Sequence, residues 1–178
     1  MEEYPFNEHK HRYAVWTAAR AVQRSFTTTA NIKLAIEASG LRIFAESQNE
    51  VTIEEFDELH TLWCNTLINS FLPLKCSYGR AAKIVSIYLK TAVVIASSGS
   101  HPNCKIIHPP IDSILLTGLS KLDGLKDLSL ERWTTLNEKQ YQNVVNTIKT
   151  HFGFFNWRIE KYWNPERAKA YKAILKEP

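Results

Sequence analysis

Lys75, Arg80, Lys83, Lys90 and Lys105 lie in a stretch, Thr61 to Ile111, that contains no Asp or Glu. A second acid-free stretch, His9 to Ile36, carries Lys10, Arg12, Arg20, Arg24 and Lys33. If both fold onto one face, that face is strongly positive and attracts a polyanion. Within the longer stretch a short connection, Lys75-Cys76-Ser77-Tyr78-Gly79, joins two helical patterns. A helix starting there presents backbone amides and the positive end of its dipole, which together hold a phosphate oxygen. Gly79 would let the phosphate come close. On its own such a turn is more often an ordinary helix connection. The expected DNA contacts, if the turn serves nucleic acid, are Lys75, Tyr78, Gly79, Arg80, Lys90 and His108.

The run Gly79-Arg80-Ala81-Ala82-Lys83-Ile84-Val85, followed by His108-Pro109-Pro110-Ile111-Asp112-Ser113-Ile114-Leu115, resembles the core of helix-hairpin-helix DNA glycosylases. The likeness is greatest to the 8-oxoguanine branch, including small bacterial proteins of which some act against phage carrying modified bases. It covers about Thr61 to Leu119. In that family a glycine-containing hairpin leads to a catalytic lysine, and a proline-rich loop presents an aspartate at the next helix N-terminus. The resemblance assigns Lys83 to the lysine and Asp112, 29 residues later, to the aspartate. The chain departs from the family in having one hairpin glycine, and no four-cysteine cluster motif.

The assigned residue types suit the chemistry. Breaking an N-glycosidic bond builds positive charge on the sugar, which a nearby carboxylate stabilises; Asp112 is the nearest acid to a basic neighbourhood. An amine must be neutral to attack the sugar carbon, and Lys83 lies near a helix start with Arg80 and Lys90, surroundings that disfavour further positive charge. Attack gives a covalent intermediate that collapses to a Schiff base and can eliminate the 3′ phosphate. The flipped base then needs a pocket, usually aromatic. Trp16, Phe155 and Trp157 are the candidates, although most of the C-terminal aromatic run (Phe152, Phe154, Phe155, Trp157, Tyr162, Trp163) belongs by type to a core.

The elements that would position these residues are helical almost throughout. One helix is expected from Asn7 to Arg24 and a second from Thr29 to a left-handed cap at Gly40. A third opens on the capping box Thr52-Ile53-Glu54-Glu55, with Phe56, Leu59, Trp63 and Leu67 inward. A fourth runs from Arg80 to Ala96, burying Ala81, Val85, Tyr88 and Ala92 and leaving Arg80, Lys83 and Lys90 on or near the other face. A polar loop follows to Pro110. A short helix capped by Asp112 covers Ser113 to Leu119, and another runs from Asn137, boxed by Gln140, to Gly153. The last starts at Asn164-Pro165. Cys104 to His108 is the one strand candidate. The expected architecture is all-α: a single compact domain over residues 1–178 with a helix-hairpin-helix-like motif.

Composition bounds the rest. At 178 residues, with 44% hydrophobic and 22% charged residues, the chain is an ordinary globular domain in size and content. Cys64, Cys76 and Cys104 are odd in number and lack CxxC spacing, and the six histidines form no ligand motif, so no disulfide framework, metal or cofactor is expected. Neither a signal peptide nor a membrane-spanning run is read, which makes the expected setting cytoplasmic, without membrane contact, and a monomer the default. No arginine is followed four to six residues later by a histidine, which argues against a helical ribonuclease. The remaining alternative is a DNA-binding or adaptor protein without catalysis.

Overall fold

The computed structural model describes residues 4–22, 26–153 and 157–166. Seven α-helices appear among them: α1 (Phe6–Val22), α2 (Thr29–Ser39), α3 (Leu41–Glu46), α4 (Ile53–Ser70), α5 (Tyr78–Leu89), α6 (Ser113–Leu119) and α7 (Glu138–Phe152). A π-helical segment, Lys90–Ile95, extends α5, and 3₁₀ turns occupy Pro102–Lys105, Lys126–Leu130, Trp133–Thr135 and Trp157–Tyr162. No strand occurs among the described residues. The fold is all-α. No described helix is long and apolar enough to cross a membrane.

Local chemistry explains the helix ends. Gly40 closes α2 in the left-handed conformation at φ 79°, which costs glycine little. Both capping boxes form: Thr52 with Glu55 at α4, and Asn137 with Gln140 at α7. Asp112 caps α6, its Oδ1 accepting from the amides of Ile114 and Leu115 at 3.0 and 2.9 Å. Cys104 to His108 is not a strand. Pro102 starts a 3₁₀ turn there, capped by the His101 side chain. Asn103 ties the turn down, accepting from the Val51 amide and donating to the Asn49 carbonyl.

Helix α5 is the axis of the molecule. It is flanked by α1, α4, α7 and the Trp133–Thr135 turn, and it buries Gly79, Ala81, Ala82 and Ser86 as well as Ile84, Val85, Tyr88 and Leu89. Small residues on every side let neighbours close around it. Lys83 is therefore not on a solvent face, as the periodicity had implied; it is 7% exposed.

A polar chain runs through the α4–α7 side of the core. His108 Nε2 lies 3.0 Å from Asp57 Oδ1, His108 Nδ1 lies 3.1 Å from Tyr141 Oη, and Tyr141 Oη lies 3.4 Å from His60 Nε2. Cys64 Sγ is 3.7 Å from His60 Nδ1. One assignment of protons satisfies every group: Cys64 donates to His60, His60 to Tyr141, Tyr141 to His108, and His108 to the Asp57 carboxylate. His60 stacks on Tyr141 with ring planes 8° apart. Both imidazoles are neutral in this scheme. Burial holds His60 well below the usual histidine range, and burial also lowers His108, against the pull of Asp57. Burial works against ionisation of Asp57, yet hydrogen bonds from His108 and Lys149 bring its carboxyl down to about 2.

Candidate functional site

Lys83 and Asp112 meet. The Lys83 Nζ donates to Asp112 Oδ2 at 3.1 Å, with side chains 8% and 12% exposed. A charge in such a place needs a partner, because desolvation alone would cost several kcal/mol. The geometry follows from two helix features. Lys83 projects from the middle of α5, and Asp112 is fixed as the cap of α6, with one oxygen on backbone amides and the other turned to the lysine. The indole of Trp163 donates to the same Oδ2 at 3.1 Å. The ring of Trp133 lies under the ammonium, 4.2 Å from Nζ to the centroid, a favourable cation–π distance.

On the far side of Trp163 from Asp112 lies a cleft of about 810 Å³ lined by Lys90, Val94, Ile95, Ser98, Gly99, Glu160, Lys161 and Trp163, with neither Lys83 nor Asp112 in its lining. Lys90 ion-pairs with Glu160 and lies 5.2 Å from the Trp163 ring centroid. Burial pushes the Glu160 carboxyl upward; Lys90 opposes this, and the neighbouring Asp112 adds to it. The backbone is unusual along the same wall. The π-helical segment supplies Lys90, Val94 and Ile95, and Ser98 has a left-handed φ of 53°, a conformation that costs a non-glycine residue energy. Trp163 thus has two faces of use: its indole nitrogen fixes Asp112, and its ring forms the cleft wall. It follows the Trp157–Tyr162 turn, which lies against α6 so closely that a Cβ at Gly118 would collide with the Tyr162 carbonyl.

The hairpin expectation is corrected. Gly79 is buried, its amide donates to the Leu136 carbonyl at 3.0 Å, and the Arg80 amide bonds to Ser77. Those donors are taken, and a phosphate has no approach. The smallness of Gly79 serves a backbone crossing instead: an added Cβ would collide with the Trp133 carbonyl. Gly79 thus lets the 133–136 segment cross α5 and set the Trp133 ring under Lys83. Gly79→Ala is expected to lower stability by about 2–3 kcal/mol, read as an earlier urea midpoint with unchanged slope.

Other expected contacts disperse. Tyr78 is buried with its hydroxyl on Thr61, and His108 is buried in the polar chain, so neither reaches DNA in this conformation. Lys75 is exposed in the α4–α5 connection. Arg80 is half-buried, 5.2 Å from the Phe26 ring centroid. Lys90 faces the cleft. Trp16 is not in a pocket: it stands 49% exposed on α1. Phe155 lies outside the described residues, as does the side chain of Trp157. Trp133, Glu160 and Trp163, which flank the pair, were not singled out by spacing.

The acid-free stretches are acid-free only along the chain. Arg12 pairs with Glu8, Lys33 with Glu37, Lys105 with Glu50, Lys90 with Glu160 and Lys83 with Asp112. Acids from outside pair with two of the five cations in the first stretch and three of the five in the second, so the gap along the chain overstates the local positive charge. No group of three or more metal-ligating side chains occurs among the described residues.

No family model, curated protein or solved structure matches the chain.

Proposed function

We propose that this chain is a DNA glycosylase that releases a modified base through Lys83 and Asp112. The observation supporting this reading is the meeting of an amine and a carboxylate, 29 residues apart, at 3.1 Å, joined through Trp163 to a cleft that its ring helps to wall. The cleft volume falls in the range of small-molecule sites, and its Trp163 ring, Val94 and Ile95 suit a flipped base. In the proposed reaction Asp112 takes a proton from Lys83 as the amine attacks C1′. The N-glycosidic bond breaks, its electron pair leaves with the base, and the base takes up the proton. Opening of the sugar ring then yields a Schiff base to Lys83, from which loss of the C2′ proton expels the 3′ phosphate.

The partner in this reading is double-stranded DNA with one nucleotide extruded, and the protein acts as a monomer in the cytoplasm. Its small helical form and the resemblance of residues 79–115 make oxidised guanine and a bulky phage-modified pyrimidine the two substrates to compare. Duplexes carrying normal, oxidised and glucosylated bases are to be incubated with the protein and scored for free base by mass spectrometry, then for alkali-labile sites. Base release from one modified duplex is expected. Salt-sensitive binding with no release from any duplex would mark a DNA-binding module instead.

A further inference from the structure

The exposed side of α1 is neither core nor part of the cleft. At 100° per residue its buried positions, His11, Ala14, Val15, Ala18, Ala19 and Val22, fall on one side, and Phe6, His9, Lys10, Tyr13, Trp16 and Arg20 fall in a single stripe on the other. Phe6, Tyr13 and Trp16 are 78%, 54% and 49% exposed. The rings of Tyr13 and Trp16 are stacked, 5.8 Å between centroids and 28° between planes. The one carboxylate of α1, Glu8, lies off the stripe and is engaged by Arg12 and Arg42. Three large aromatic rings exposed along one face of a helix form a surface that an occupant can cover.

We propose that this face of α1 binds single-stranded nucleic acid, with unpaired bases stacking on Trp16, Tyr13 and Phe6 and with phosphates meeting Lys10 and Arg20. Rings interleaved with cations on one stripe match the two needs of a single strand, a π-surface for each base and positive charge for the backbone. A duplex hides its base faces and would use only the cations. A second copy of the chain would bring Lys10 and Arg20 against like charges. From Phe6 to Trp16 the helix rises about 15 Å, the length of about four stacked nucleotides. The site is separate from the Lys83 chemistry and stands whether or not the chain is a glycosylase.

Short oligothymidylate and oligouridylate, titrated against the protein, test this. Binding of at least one is expected, with quenching of tryptophan fluorescence; the two arms tell DNA from RNA. Trp16→Ala and Tyr13→Ala should each weaken it on the order of tenfold, while Trp16→Phe keeps binding and loses that ring's share of the quenching. Lys10→Gln and Arg20→Gln should each flatten the salt dependence by about 0.7 in slope. All four positions face solvent wholly or in part, so circular dichroism should be unchanged. Absence of binding to either oligomer, equal binding by the Trp16→Ala/Tyr13→Ala double variant, or a change of oligomeric state in that variant without a change in oligomer binding would each overturn the proposal.

Discussion

Lys83→Gln is expected to abolish the borohydride-trapped adduct with DNA and to cut base release at least about a hundredfold. Gln is the informative replacement because its amide still donates toward Asp112, so the buried carboxylate keeps a hydrogen bond. An apolar replacement would strand that carboxylate in the core, at about 3–5 kcal/mol, and confuse misfolding with lost chemistry. Asp112→Asn probes the other partner. Its oxygen can still cap Ile114 and Leu115, but its NH₂ would face two donors, Lys83 Nζ and Trp163 Nε1. DNA binding should remain near wild type while release falls on the order of 10²- to 10³-fold. Trapping that persists in Lys83→Gln would remove Lys83 from the nucleophile's role.

Acid is expected to weaken the fold from about pH 6.5 downward, before most of its carboxylates protonate. His60 and His108 sit on the neutral side of their equilibrium in the fold, both lowered from the ordinary histidine value. Below about pH 6.5 the unfolded chain takes up protons that the folded chain refuses, so stability falls as pH falls. A histidine costs at most about 1.4 kcal/mol per pH unit over the range in which it stays neutral, against a total of about 5–15 kcal/mol for a typical domain. Asp57 acts in a lower window. Its carboxyl is depressed from 3.8 to about 2, so its contribution is full above about 4 and drains away toward pH 2. Urea midpoints measured from pH 7.5 to 5 should drop steeply, with little further dependence on Asp57 until below pH 4. A flat profile between 7 and 5 would contradict the neutral histidine chain.

What could be read in the string, and what could not, divides by the range of the interaction. Caps are local: Thr52 needs only Glu55, Asn137 only Gln140, and Gly40 only its own backbone freedom, so each stands where spacing placed it. Asp112 was legible as a cap for the same reason, and as a partner for Lys83 only through resemblance. Trp133, Glu160 and Trp163 sit on or beside short 3₁₀ turns, too brief for any period to show, and reach the pair across 50 residues or more of chain. The charge of the acid-free stretches was overstated in the string, because a gap in acids along one dimension says nothing about acids arriving from Glu37, Glu50 or Glu160. Helix α5 did carry a readable signal. Gly79, Ala81, Ala82 and Ser86 fall on several sides of it, which marks a helix enclosed all round and a lysine drawn inside with it.

Gly118 ties two walls of the site to one another. Asp112 is fixed at the head of α6, and Trp163 trails the turn resting on Gly118 near that helix's foot. With no clearance between them, neither can tilt alone: whatever rocks α6 carries the carboxylate and the indole together, as a jaw with both teeth set in one bone. A single methyl at 118 would strike the Tyr162 carbonyl as closely as one at 79 would strike that of Trp133, so one small substitution would loosen both teeth at once.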